Sequence, residues 1–133
     1  MHLFVDTSVW SLALRRDQPD GRAEVERLTQ ALERGEQIVT TGLVLQELLQ
    51  GFAGPKARAH VIEHFSALPL LAPDRQDHVD AAELRNHCRR NGVQIGTIDA
   101  LLAQVCVRHQ LLMLSADDDF RAIARHSALK CWR

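Results

Sequence analysis

Five carboxylates carry the chemistry open to this sequence: Asp6 in LFVDTSVW, Glu47 in LVLQELLQG, Asp99 in GTIDALLAQ, and Asp117 and Asp119 in LLMLSADDDF. Each ends an apolar run or sits near a helix start, positions that a parallel sheet brings together at its carboxyl edge. Carboxylates gathered there repel one another by roughly 4 kcal/mol per pair at 4 Å and an effective dielectric near 20. A divalent cation relieves that repulsion, and an oxygen-only ligand set suits Mg²⁺ or Mn²⁺ rather than zinc. Taken singly, each acid also has a plainer account. An Asp after a strand caps a helix, Asp99 lies in a first turn where the macrodipole favours an anion, and Asp117 to Asp119 open another helix. Glu47 beside Gln46 and Gln50 has solvent within reach, yet among Val44, Leu45, Leu48 and Leu49 a carboxylate is costly unless partnered. Three consecutive aspartates exceed what capping requires. Thr7 and Ser8 are either caps or hydroxyls that orient water at a metal.

The elements that must position these groups alternate between strand and helix. His2 to Val5 reads as a buried strand, followed by a turn and an apolar helix over Val9 to Leu14. Arg15 to Arg22, with Pro19 and Gly21, is a loop. A helix carrying Ala23, Val25, Leu28, Ala31 and Leu32 stops near Gly35. Gln37 to Thr40 is a second strand, and Thr41 or Thr40 caps a helix that ends before Gly51. Pro55 opens the next helix, with Val61, Ile62 and Phe65, and Pro69 marks the strand Leu68 to Leu71 as peripheral. Asp74 caps a helix from Arg75 to Arg90 that stops at Asn91-Gly92, and Thr97 caps another through His109. Leu111 to Leu114 is a strand, Asp117 to Arg125 a short helix and Leu129 to Trp132 a last strand. Such alternation predicts an α/β fold with a parallel sheet and helices on both faces.

The 133 residues suit one domain, 1–133, and 46% apolar with 25% charged residues exclude a disordered tail as the main object. Lys and Arg number 16 against 17 Asp and Glu, so a net charge of −1 gives no global pull toward nucleic acid or anionic membrane. Cys88, Cys106 and Cys131 are widely spaced, with no Cys-x-x-Cys pair, and read as reduced thiols. With no apolar stretch approaching about 20 residues and no signal peptide, a cytoplasmic location is expected. No histidine (His2, His60, His64, His78, His87, His109, His126) falls inside an acidic motif, which leaves them surface or packing roles.

In series, FVDTSVW, the Glu inside VLQELLQG, the TIDALLAQ helix start and LLMLSADDDFRAIA resemble the PIN-domain ribonucleases, and within them the toxin subunits of VapBC toxin–antitoxin modules. The likeness spans nearly the whole chain. It implies a PIN-like α/β/α sandwich with a central parallel β-sheet and one acidic pocket. Asp6, Glu47, Asp99 and Asp117 match the family's site acids, and Asp119 its additional acid. Ser115 stands at a Thr/Ser position and Ser8 at the serine of the D-x-S opening, whereas Asp118 matches a variable, solvent-facing position. The implied activity is Mg²⁺-dependent endoribonuclease cleavage, with Mn²⁺ as an alternative ion. Asp6 and Asp99 would anchor a cation, Glu47 would orient its water ligands, and Asp117 with Asp119 would complete the shell or recruit a second ion. Hydrolysis of this kind leaves a 5′-phosphate and a 3′-hydroxyl. The implied partners are an RNA substrate, a VapB-like antitoxin that places an Arg or Lys in the pocket, and a second copy in a homodimer.

Basic residues must rim such a pocket. Arg15 and Arg16 in the first loop, Lys56 and Arg58 after Pro55, and Arg85, Arg89 and Arg90 on one helix are candidates, although solvated helix surface explains them equally. Trp10 either stacks on a base or packs in the core or an interface. Two other readings compete. A phospho-aspartate enzyme of the haloacid dehalogenase type wants a second Asp where Ser8 stands, and a receiver domain wants a lysine after its fifth strand, where Lys130 near the terminus is the one available. A non-catalytic PIN-like module that binds RNA or protein is the remaining alternative, and the intact acidic set weighs against it.

Overall fold

The computed structural model describes residues 1–15 and 21–133. Most of the expected first loop, Arg16 included, lies outside the described residues. Among those described, five strands form a sheet in the order β3-β2-β1-β4-β5. They are β1 (Leu3–Val5), β2 (Ile38–Thr41), β3 (Leu70–Leu71), β4 (Leu112–Leu114) and β5 (Lys130–Cys131). Every pairing is parallel, with Leu3 opposite both Ile38 and Leu112, and Val5 opposite Leu114. The central strands are short apolar runs because both faces are covered: Leu3, Phe4, Val5, Met113 and Leu114 are all buried.

Helices α1 (Thr7–Leu14), α2 (Ala23–Arg34), α3 (Gly42–Gly51) and α4 (Pro55–Phe65) follow β1 and β2, and α1 packs on α2 and α3, and α3 on α4. Helices α5 (Arg75–Arg90), α6 (Thr97–Arg108) and α7 (Asp118–Ala124) form the other set, α6 packing on α5 and α7. The chain moves outward from β1 through β2 and β3, then returns to lay β4 on the other side of β1. That reversal leaves a crevice at the carboxyl ends of β1 and β4, where open α/β sheets bind ligands. The result is the expected α/β/α sandwich with a central parallel sheet.

Local signals explain most boundaries. Pro55 occupies the first turn of α4, and Gly35 closes α2 at φ +66°. β3 is an edge strand, as Pro69 argued, and the Pro69 carbonyl accepts from Thr40 N at 3.0 Å. Thr41, not Thr40, caps α3 by accepting from Val44 N at 3.3 Å, and α3 runs on through Gly51. Two expectations are corrected. No turn separates β1 from α1, because Asp6 is itself the N-cap and the helix starts at Thr7. Thr97 does not cap α6; the N-cap is Gly96, which needs no side chain to adopt the extended cap conformation, and Thr97 is the first helical residue. Asp74 caps α5 through a reciprocal capping box with Asp77. Asp77 is 1% exposed and accepts from Arg108 at 2.7 Å, so an ion pair from α6 satisfies it and locks the two helices together.

Candidate active site

Asp6 ends β1 beside β4, where its backbone N–H donates to the Leu114 carbonyl at 2.9 Å. Its carboxylate is 6% exposed and makes no capping bond to α1. Instead Asp6 Oδ2 accepts from Ser8 Oγ at 2.8 Å and from Ser115 Oγ at 2.9 Å. Those hydroxyls are held in turn: Ser8 Oγ accepts from Ala116 N and Ser115 Oγ from Asp117 N. A capping role therefore does not account for the Asp6 side chain. One oxygen is fixed by two serines, one on α1 and one in the loop after β4, and among the described residues no hydrogen bond engages Oδ1.

Glu47 is half-buried rather than turned to solvent with Gln46 and Gln50, and Glu47 Oε1 accepts from Thr7 Oγ1 at 2.9 Å. Thr7 thus ties α1 to the acidic residue of α3. No pattern of residues announces this bond, since its partners stand 40 positions apart. The capping account of Asp117 holds in part, because Asp117 Oδ1 caps α7 by accepting from Asp119 N at 2.9 Å. Asp118 is turned outward and pairs with Arg121, in agreement with the solvent-facing assignment.

Asp99 lies in the first turn of α6, where the helix dipole alone favours its ionised form. Its pKa is nonetheless pushed up to about 6, first by burial and then by the charges of Asp6, Asp117, Asp119 and Glu47. All five acids expected from the sequence therefore meet at one place. One carboxylate oxygen from each of Asp99, Asp117 and Asp119 lies within 4.8 Å of the others, a spacing from which three oxygens can close on one cation. The donor set is all oxygen, which fits a hard divalent ion.

The basic candidates are distributed unevenly. Arg85 Nε donates to the Ile95 carbonyl at 2.9 Å, tying the loop before α6 to α5, and Arg89 donates to Asn86 Oδ1. Arg15 is exposed at the far end of α1, about 13.5 Å along the helix from Asp6. Lys56, Arg58 and Arg90 are exposed. Trp10 is 1% exposed with its ring centroid 4.9 Å from that of Phe65, so it is a core residue and no platform for a base. The three cysteines are free, and burial raises all three thiol pKa values.

Residues 3–126 match the PIN domain family, and the chain belongs to it, as this sheet with acids at its crevice would lead one to expect. Its relatives are VapC proteins. It is 31% identical to "Ribonuclease VapC23" of Mycobacterium tuberculosis over 94% of this chain and 99% of that one. It is 28% identical to "Ribonuclease VapC11" of the same organism, covering 96% of each. Among solved structures, VapBC2 from Rickettsia felis bound to a DNA fragment from its promoter superposes with a TM-score of 0.74 at 18% identity, covering 100% of both chains. At that identity the likeness speaks for the fold alone.

Proposed function

We propose that residues 1–133 act as one domain, a Mg²⁺-dependent endoribonuclease that hydrolyses RNA phosphodiester bonds and serves in the cytoplasm as the toxin of a type II toxin–antitoxin pair. The observation that carries this reading is the convergence of five carboxylates, four of which add to burial in raising Asp99 to about 6. Kinship with proteins named VapC ribonuclease gives it a substrate class.

Asp99, Asp117 and Asp119 would hold the ion, with Asp6 supplying Oδ1 from the neighbouring strand. When bound, a divalent cation offsets charge on the scissile phosphate and lowers the pKa of water at the site. Ser8 and Ser115 keep the Asp6 carboxylate from rotating. Thr7 leaves Glu47 with one oxygen, Oε2, to orient the attacking water. Asp117 divides its work between capping α7 and facing Asp99. The products are a 5′-phosphate and a 3′-hydroxyl. Arg85 and Arg89, with Arg15 further off, would draw the RNA backbone in despite the net charge of −1, and Arg16, outside the described residues, is a candidate from the sequence for the same role. A VapB-like antitoxin would neutralise the enzyme by placing a guanidinium among the carboxylates in place of the cation. The working unit is a homodimer.

The test is cleavage of a structured RNA mixture by purified protein in Mg²⁺ or Mn²⁺ against EDTA, with end-group analysis, beside Asp6→Asn and Asp99→Asn. Metal-dependent cuts bearing 5′-phosphates, absent in both variants, support the reading. Equal cutting by variants and wild type, or cutting that survives EDTA, overturns it.

A further inference from the structure

A cavity of about 320 Å³ is framed by the start of α3, one face of α5 and the first turn of α6, and so by two of the helices that carry the site's acids, Glu47 on α3 and Asp99 on α6. Leu43, Ile98 and Leu101 give it apolar walls, His78, Arg85, Asn86 and Thr97 supply its polar side chains, and none of its lining residues is acidic. Ile98 directly precedes Asp99, and with about 100° between successive helical residues the first turn of α6 gives Ile98 to the cavity wall and turns Asp99 away from it, toward the other acids. Ile98 is 40% exposed, an apolar side chain held open beside a site made of charge. Arg85 is fixed in the cavity wall by its bond to the Ile95 carbonyl, and Asn86 Oδ1 is engaged by Arg89. The terminal guanidinium nitrogens of Arg85 and the Asn86 amide NH₂ group are therefore presented by side chains already positioned.

We infer that this cavity receives one unstacked nucleobase of single-stranded RNA, from the nucleotide next to the phosphate held at the carboxylates. The inference rests on the ribonuclease reading above. A polyanion whose scissile phosphate lies at five acids continues most favourably over surface free of acid, and this cavity shares α3 and the first turn of α6 with the site, lacks acids and carries Arg85. Ile98 and Leu101 would lie against the base's face, while Asn86 and Arg85 contact its edge. Bases inside a duplex are stacked and out of reach, so a base enters the cavity only where the strand is unpaired.

Ala82 is an exposed lining residue on α5, and Ala82→Phe fills the cavity without touching an acid. Adding 5′-mononucleotides to cation-free wild-type protein is expected to shift the backbone amide resonances of Arg85, Asn86 and Ile98, and Ala82→Phe to erase those shifts. In cleavage maps, Ala82→Phe and Asn86→Ala should both lose the base preference beside the cut and raise KM by about tenfold, the scale of one lost base contact. The inference is overturned if nucleotides leave these amides unmoved, or if Ala82→Phe retains the wild-type map and KM. It is also overturned if that variant alters only the oligomeric mass, which would assign the cavity to a second copy. Should wild type cut no RNA while nucleotides still enter the cavity, the ribonuclease reading fails and the base cavity stands without it.

Discussion

Asp99 sits at a position where a helix dipole acidifies a carboxyl group, and burial, with the neighbouring carboxylates adding to it, reverses that effect. With the pKa raised from 3.8 to about 6, the folded protein binds this proton more tightly than the unfolded chain. The resulting stabilisation is fully present below about pH 4 and is lost as pH rises through about 6, above which the ionised group is a net cost. In EDTA the protein should therefore melt at a higher temperature at pH 5 than at pH 7.5 as far as Asp99 is concerned. A two-unit shift is worth about 3 kcal/mol, and half-burial reduces it, so Asp99→Asn should stabilise the cation-free protein by roughly 1–2 kcal/mol at pH 7.5. Thermal melts of the two proteins in EDTA check this; equal midpoints at pH 7.5 would mean that the carboxylates do not strain one another. Thr7 gives a second expectation. Thr7→Val releases Glu47 and should lower kcat/KM by about tenfold, Thr7→Ser should restore it, and neither should shift the melting temperature appreciably. Activity unchanged in Thr7→Val would show that Glu47 needs no anchor.

At the scale of elements, the α5–α6 pair supports the site from a distance. Asp77 is buried between its capping partner and Arg108, so Asp77→Ala should cost about 2–3 kcal/mol by breaking both contacts. Denaturant melts measure that cost, and a loss under 0.5 kcal/mol would mean the pair is ornamental. The folded fraction should still cut RNA, since no site acid is altered. These elements were legible in the sequence to different degrees. Strand-then-helix alternation and Gly35, Pro55 and Asp74 marked boundaries correctly because each acts through its own backbone or an immediate neighbour. Asp6, Asp117 and Asp119 were legible because they follow apolar runs, β1 and β4, that the parallel sheet carries to one edge, Glu47 because it is an acid among apolar helical neighbours, and Asp99 because it stands at a helix start. Bonds across the chain were not: the Ser115–Asp6 bond spans 109 positions and the Thr7–Glu47 bond 40, and neither depends on local spacing. The assignment of Thr97 as a cap failed because Gly96, just before it, adopts the extended cap conformation without any side-chain bond, and Thr97 becomes the first helical residue.

For the molecule as a whole, charge balance limits how RNA can be bound. With a net charge of −1, attraction has to come from a few basic side chains near the site. Binding of a single-stranded RNA to the non-cleaving Asp99→Asn protein should weaken with salt, with a log–log slope reflecting only about two to four phosphate contacts. Arg85→Ala and Arg89→Ala should each reduce that slope by close to one. Fluorescence titrations over a range of salt concentrations provide the check, and a slope unaffected by either substitution would move the RNA path to another face. Among the described residues, no helix is long and apolar enough to cross a membrane.

The claim on which all of this depends is that the five acids form a site for a hard cation, and a site-resolved NMR titration of the Asp99 carboxyl with and without Mg²⁺ tests it most directly. Without the ion Asp99 should titrate near 6, and with saturating Mg²⁺ its midpoint should fall by at least about one unit as the cation replaces the proton. A midpoint near 4 in both conditions, the ordinary value for an isolated Asp, would contradict the account.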